Sequence, residues 1–248
     1  MLPSVIFVTV HKGASTYIAD TLSNAMRRSD DYQRLIRFRK GIIEGRDPAQ
    51  MRVPSAGVVV SRVYPNDLGQ LVEDPPCDPA FADKQLVLLY RDPRDVAVSL
   101  YYSKAFSHPV NVADPEKFLE ERAELQDLGV VEGVRQRTWK GALGEFRQIR
   151  RIESENPQAL STRYEDLVSD PELWVATVGK HLGWSTKTAS IVHRASAKSF
   201  EPPTDEDVFQ HKRRITPGNW REIFDEDLIA QFQEAAGDQL AAAGYGFD

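Results

Sequence analysis

Val5-Ile6-Phe7-Val8-Thr9-Val10, then His11-Lys12-Gly13-Ala14-Ser15-Thr16, then the run from Tyr17 to Arg28, is the stretch that decides the fold of this 248-residue chain. The apolar run reads as a strand, the small polar residues as a turn, and the third part as a helix. Such a turn leaves backbone N–H groups converging at the start of the helix, which is a place to hold an anion. Lys12 opens the turn, and the hydroxyls of Ser15 and Thr16 stand where they can cap the helix and donate to a phosphate oxygen. Taken alone, the stretch is equally an ordinary strand-to-helix turn with a solvated lysine, and the choice rests on the rest of the chain.

Moving outward, Ala56-Gly57-Val58-Val59-Val60-Ser61 and Gln85-Leu86-Val87-Leu88-Leu89-Tyr90 are short apolar runs that fit buried parallel strands, and Ala159 to Tyr164 predicts a further strand. Between them stand helix signals. Asp92 is placed to cap a helix that begins at Pro93, carries Asp95 in its first turn and runs to about Ser103. Asp114-Pro115 repeats the signal for a helix to about Leu128, and Glu132 to Glu155 puts Trp139, Leu143, Phe146 and Ile149 on one face. Asp170-Pro171 opens a helix from Glu172 to Leu182 that Gly183 ends, and Ser185 to Ser196 and Asp225 to Ala243 complete the set. Arg27 to Arg52 reads as irregular with one short helix at most, and Pro65 to Pro79 as loop around a short helix at Asn66 to Val72. This alternation predicts a single α/β domain over residues 1–248, three layers deep, with a central parallel sheet flanked by helices and ligands at the carboxyl ends of its strands. The Lys12 turn, Ser61-Arg62 and Arg91 all fall at such ends.

A hydrophobic share of 41% is enough for a full core, and the single cysteine, Cys77, excludes an internal disulfide and a multi-cysteine zinc site. The start of the chain lacks the pattern of a secretory leader, so a reducing, cytoplasmic setting is the expectation. No apolar run approaches the roughly 20 residues of a membrane span. The net charge of −6 argues against nucleic acid as a partner. Positive charge is local instead, at Arg91 with Arg94 and at Lys212 with Arg213 and Arg214, which suits small anionic ligands.

An ATP or GTP site would need G-x-x-x-x-G-K-[ST], with the lysine at the far end of the loop, and the chain has no such match. Asp92 follows an apolar strand as a magnesium-organising aspartate would, but Arg91 and Pro93 beside it favour helix capping. Here the lysine opens the loop, and His11 to Tyr17 resembles the P-K-S-G-T-T-W loop of P-loop-type sulfotransferases that use 3′-phosphoadenosine 5′-phosphosulfate. His11 stands for the proline and Ala14 for the glycine. Arg91-Asp92-Pro93-Arg94-Asp95 through Ser99 is similar to the family's 3′-phosphate motif, R-[DN]-P-[KR]-D-x-x-x-S, and Arg91 and Ser99 can both reach one phosphate. A local pairing of the arginine with Asp95 is the other reading. Arg213 to Phe224 resembles the third segment, R-K-G-x-x-G-D-W, with Arg214 for the lysine and Ile215 for the glycine; otherwise it is a solvated basic loop. Tyr164-Glu165-Asp166-Leu167 resembles Y-E-D-L, whose tyrosine contacts adenine, and Tyr17 falls where the loop's tryptophan stacks on that ring, although both fit ordinary core aromatics.

The resemblance implies cofactor contacts from Lys12, Gly13, Ala14, Ser15, Thr16, Tyr17, Arg91, Ser99, Tyr164, Arg213, Arg214 and Ile215, with no metal. It implies that an acceptor hydroxyl attacks sulfur, that adenosine 3′,5′-bisphosphate leaves, and that Lys12 meets the charge on the bridging oxygen. Many relatives carry the base as the histidine of a T-H-L-P segment, where this chain has Ser61-Arg62-Val63-Tyr64-Pro65, and arginine stays protonated. His11 and His108 are then the candidate bases, a carboxylate from residues 31 to 52 is a third source, and His181 and His193 read as structural. The acceptor would be a small molecule or a sugar, shaped by loops 31–52, 62–80 and 102–113. The alternatives are a nucleotide kinase-like enzyme and a nucleotide-binding protein without sulfuryl transfer, the latter supported by Arg62.

Overall fold

The strand-forming runs meet in one sheet in a computed structural model, which describes residues 1–47, 53–68, 83–110, 114–197, 199–201, 206–210 and 213–247. Among the described residues the sheet has five strands: β1 (Val5–Thr9), β2 (Arg34–Arg37), β3 (Val58–Val63), β4 (Gln85–Tyr90) and β5 (Leu160–Arg163). Their order is β2-β3-β1-β4-β5, and every neighbouring pair is parallel. The chain builds outward on one side of β1, returns through β3 and crosses to β4 on the other side. That reversal puts the carboxyl end of β1 at the switch point of the sheet, where open parallel sheets bind ligands.

β2 corrects the expectation of irregular structure there. Only Leu35 and Ile36 are apolar, and Arg34 and Arg37 at its two ends are exposed, so an edge strand of four residues offers no period to read. The one short helix expected in that region is Phe38–Ile43. The described part of the Pro65 loop forms a tight turn, Pro65–Asp67. Cys77, Lys212, residues 48–52, residues 111–113 and the second part of the Asn66 to Val72 helix lie outside the described residues.

Both faces of the sheet are buried, since Val5 and Ile6, which point to opposite sides, are each 0% exposed. One face packs on the helical run after the Lys12 turn, Tyr17–Leu22 in a wide π form and then Ser23–Arg27 as α-helix. Phe7, Ile18, Leu22, Met26, Val59 and Leu89 share this cluster with Trp174, Val175, Val178 and Val192 from later helices.

Two compact units divide the chain, and each is made of two separated stretches. Met1–Arg91 with Glu145–Glu201 carries the whole sheet, and Asp92–Gly144 with Pro202–Asp248 is helical. The crossing from Arg91 to Asp92 falls one residue past β4, and the helix Trp139–Glu155 runs from one unit into the other.

The helix signals are realised by the residues that carry them. Asp92 accepts from the Arg94 N–H at 2.9 Å and caps Pro93–Tyr102, and Asp170 accepts from the Leu173 N–H at 2.9 Å and caps Pro171–Leu182. Gly183 closes that helix in the left-handed conformation at φ 69°. Pro115–Gly133 bends at Gly129, just past its expected end at Leu128. Phe7→Ala is expected to cost about 3–5 kcal/mol, seen as a lower denaturant midpoint.

Candidate active site

Beyond β1 the chain is held by its own backbone. Buried Thr9 donates its hydroxyl to the Gly13 carbonyl at 2.8 Å, and the Gly13 N–H donates to the Val10 carbonyl at 3.1 Å. Lys12 and Ala14 both take φ 60°, the left-handed region that side chains normally avoid. Ala14 thus adopts the backbone form for which the family uses glycine. At Gly13 a Cβ would come within 3.1 Å of the Val10 carbonyl oxygen, so the glycine lets the turn close on itself.

Three cations gather at this turn from the ends of three adjacent strands. Arg91, one residue past β4 and 5% exposed, donates to the Lys12 carbonyl at 3.0 Å. Its guanidinium lies 4.2 Å from the centre of the ring of Tyr164, the first residue after β5, so the adenine candidate sits directly against it. Arg62, on β3, has φ 57° and donates to the Tyr64 hydroxyl at 3.2 Å. Burial, then Arg91, then Arg62 bring the Lys12 ammonium down to about 8. The turn therefore gathers positive charge, and a phosphate or sulfate group suits such a place. No group of three or more His, Cys, Asp or Glu that could hold a metal ion occurs among the described residues.

His11 is fixed from two sides. Its N–H donates to Glu145 Oε2 at 2.7 Å, and its Nδ1 is paired with Glu145 Oε1. Its ring lies flat on Tyr64, with centroids 3.7 Å apart and planes 8° apart, and the Tyr64 hydroxyl donates to buried Ser15 at 3.4 Å. Thr16 is half-buried. Tyr17 belongs to the core cluster: its hydroxyl shares a hydrogen bond with Ser196 at 2.8 Å, and its ring meets Phe200 and Trp174 edge-on. Burial pushes the phenol up to about 12.

The helical unit carries the remaining motif residues. Ser99 and Tyr102 are three apart on Pro93–Tyr102 and share a face, and the Arg213 guanidinium lies 3.9 Å from the centre of the Tyr102 ring. Arg213 is also paired with Glu206. Arg214 holds Glu222 through two bonds of 2.7 and 2.6 Å, a pair that lowers the carboxyl and raises the guanidinium, and it reaches Asn219 at 3.1 Å. Ile215 is buried, so the side chain that replaces glycine goes into the packing. His108 is exposed, its N–H donating to the Ser103 carbonyl at 2.7 Å and its ring 6.0 Å from Phe118.

Three roles were not anticipated from the motifs. Asp95, 1% exposed, accepts the N–H groups of Gly218 at 2.7 Å and Trp220 at 3.0 Å, so one residue of the second motif fastens the third. Arg94, equally buried, is held by Asp92 at 2.7 Å and covered by the rings of Trp220 at 3.8 Å and Phe247 at 4.6 Å. Glu145 is the third. Apart from Asp92, each partner is remote in sequence, and the available signal was the buried aspartate's motif position beside a helix cap.

Residues 79–244 match the sulfotransferase domain family. The chain belongs to that family. Its fold is also that of solved sulfotransferases. Mouse sulfotransferase SULT7A1 complexed with PAP is 16% identical, with 96% of this chain and 84% of that chain covered and a TM-score of 0.55. A retinol dehydratase in complex with androsterone and inactive cofactor PAP is 17% identical, with 96% and 80% covered and a TM-score of 0.54. A sulfotransferase from Alicyclobacillus acidocaldarius is 16% identical, with 100% and 98% covered and a TM-score of 0.50. No curated protein matches the chain. The family match begins after β3, so the Lys12 turn of this sulfotransferase-family chain lies outside it and within the structural likeness.

Two outcomes follow from this geometry. Lys12 should titrate near 8, and Arg62→Gln should move the midpoint toward the ordinary 10.5, read by 13C resonances of the reductively methylated protein. Between those values the unfolded chain binds a proton that the folded one does not, so this group makes stability rise with pH from about 8 to 10.5. Asp95→Ala strips two backbone N–H groups of a charged acceptor and should cost about 3 kcal/mol in denaturant unfolding.

Proposed function

We propose that this chain transfers a sulfuryl group from 3′-phosphoadenosine 5′-phosphosulfate to a hydroxyl of a small molecule or carbohydrate, in the cytoplasm. The observation that carries the reading is the left-handed Lys12 turn, where Arg91 donates to the Lys12 carbonyl and Arg62 lies near the end of the neighbouring strand, a place suited to an anion. PAP in two of the similar solved proteins, SULT7A1 and the retinol dehydratase, supports the same cofactor here. The described residues include no helix long and apolar enough to cross a membrane.

In this reading Lys12, Gly13, Ala14, Ser15 and Thr16 hold the 5′ side of the nucleotide. Arg91, Ser99 and Arg213 hold the 3′-phosphate, with Arg214 and the Ile215 backbone beside Arg213. Tyr164 and Tyr17 serve the adenine, Tyr164 through the face next to Arg91 and Tyr17 from the core. The cofactor supplies an activated sulfuryl group and leaves as adenosine 3′,5′-bisphosphate. Protonated Lys12 stabilises the charge that develops on the leaving oxygen, an interaction stronger in the transition state than before it. Arg62 cannot take the acceptor's proton, so His11 and His108 are the candidate bases, with a carboxylate from residues 31 to 52 as a third source.

A second reading, nucleotide binding without turnover, is favoured by Arg62, which stands where relatives carry the base and is engaged with Tyr64. Calorimetry in EDTA and a radiolabelled phosphosulfate assay against phenols, alcohols and sugars separate the two. The expected result is metal-independent binding of the bisphosphate, transfer to at least one acceptor, and a loss of about 1.5–3 kcal/mol of binding in Arg91→Ala. Lys12→Met should lower turnover far more than affinity. A requirement for magnesium, or tighter binding of ATP, would overturn the nucleotide assignment, and binding without any transfer would leave the second reading standing.

A further inference from the structure

The pairing of His11 with Glu145 is a built feature that nothing in the motifs supplies. Glu145 comes from the helix Trp139–Glu155, 134 positions away, and its side chain is 13% exposed. One oxygen takes the His11 backbone N–H at 2.7 Å, and the other meets Nδ1 of the ring. Tyr64 supports the ring from its flat side, so both tilt and rotation are set. The His11 side chain nevertheless keeps 38% of its surface exposed, and with Nδ1 taken the nitrogen left for a substrate is Nε2.

We infer that Glu145 is the positioning residue for His11, holding the proton on Nδ1 so that Nε2 takes the proton of the acceptor hydroxyl. The inference rests on the proposed sulfuryl transfer and chooses His11 over His108 as its base. A carboxylate that accepts from one ring nitrogen makes the other an acceptor and stabilises the imidazolium that forms. In the step the acceptor O–H bond breaks and its proton passes to Nε2. The acceptor oxygen forms the new bond to sulfur, and the bond from sulfur to the bridging oxygen breaks with its electron pair on the bisphosphate. Lys12, the next residue, meets that leaving charge, so base and electrophilic partner are neighbours on one turn. Glu145 and Tyr64 face the ring, Arg62 donates to the Tyr64 hydroxyl, and Arg91 donates to the carbonyl of Lys12, the next residue.

The alternative is that Glu145 only tethers the turn through the backbone N–H of His11. That tether survives in His11→Ala, so a double-mutant cycle separates the two roles. His11→Ala should lower kcat by about 10²–10⁴-fold and Glu145→Ala by at least about tenfold, while Glu145→Ala should cost nothing further in the His11→Ala background. Affinity for adenosine 3′,5′-bisphosphate should stay within about twofold in each variant, as expected of groups that act on the proton transfer. Glu145→Gln, which keeps the shape, checks that any loss is not unfolding. A readout independent of turnover is the 15N spectrum of the imidazole: Nδ1–H in the wild type, with that preference lost in Glu145→Ala. An Nε2–H ring in the wild type, or a Glu145→Ala cost that persists without His11, overturns the positioning role. Bisphosphate binding and transfer that continue undiminished in His11→Ala overturn the choice of base alone. Wild-type protein that transfers to no acceptor overturns the proposed function and the base with it.

Discussion

The bond from Arg91 to the Lys12 carbonyl is the contact on which the site depends. It ties the residue after β4 to the turn after β1, and it requires that turn to lie in a left-handed conformation that costs a non-glycine residue about 1–2 kcal/mol. Thr9 and Gly13 hold the same turn from beneath. The result is an arginine and a lysine brought together in a partly dry place, where burial and then Arg91 lower the Lys12 ammonium. Cations gathered on a left-handed turn suit an anion, and strain held at such a place is how a fold spends stability on recognition.

The sheet makes the arrangement possible. With β1 in the middle, β3 and β4 end on either side of its turn, so Arg62 and Arg91 approach Lys12 from opposite neighbours. Apolar residues bury both faces of these strands, and the polar chemistry is confined to their carboxyl ends. His11 and Tyr64 belong to the same rim, stacked on each other and anchored by Glu145 and Arg62 respectively.

Local signals were legible and remote pairings were not. Asp92, Asp114, Asp170 and Asp225 each cap a helix within three residues of themselves, so their meaning is contained in a short window. β1, β3 and β4 are apolar over a whole strand and could be read for the same reason. β2 has two apolar residues and charged ends, too few for a pattern. At the site, Arg91 and Lys12 could be singled out because motif spacing and strand ends agree. Glu145 could not, since on its helix it is one polar residue among several, and only the folded chain brings it to His11. Tyr17 shares a hydrogen bond with Ser196 across 179 positions, a pairing that no short window of sequence shows.

Arg94 shows how far a motif can reach. Its guanidinium is clamped by Asp92 and covered by Trp220 and by Phe247, a residue close to the carboxyl end of the chain. A flat cation suits two aromatic faces, and an ammonium in its place would keep the charge and lose the fit. Shortening the chain before Phe247 would uncover a buried charge in the segment that also carries Asp95 and Ser99. Phe247 is therefore part of the motif's architecture, and a truncation that removes it is a change made to the helix Pro93–Tyr102.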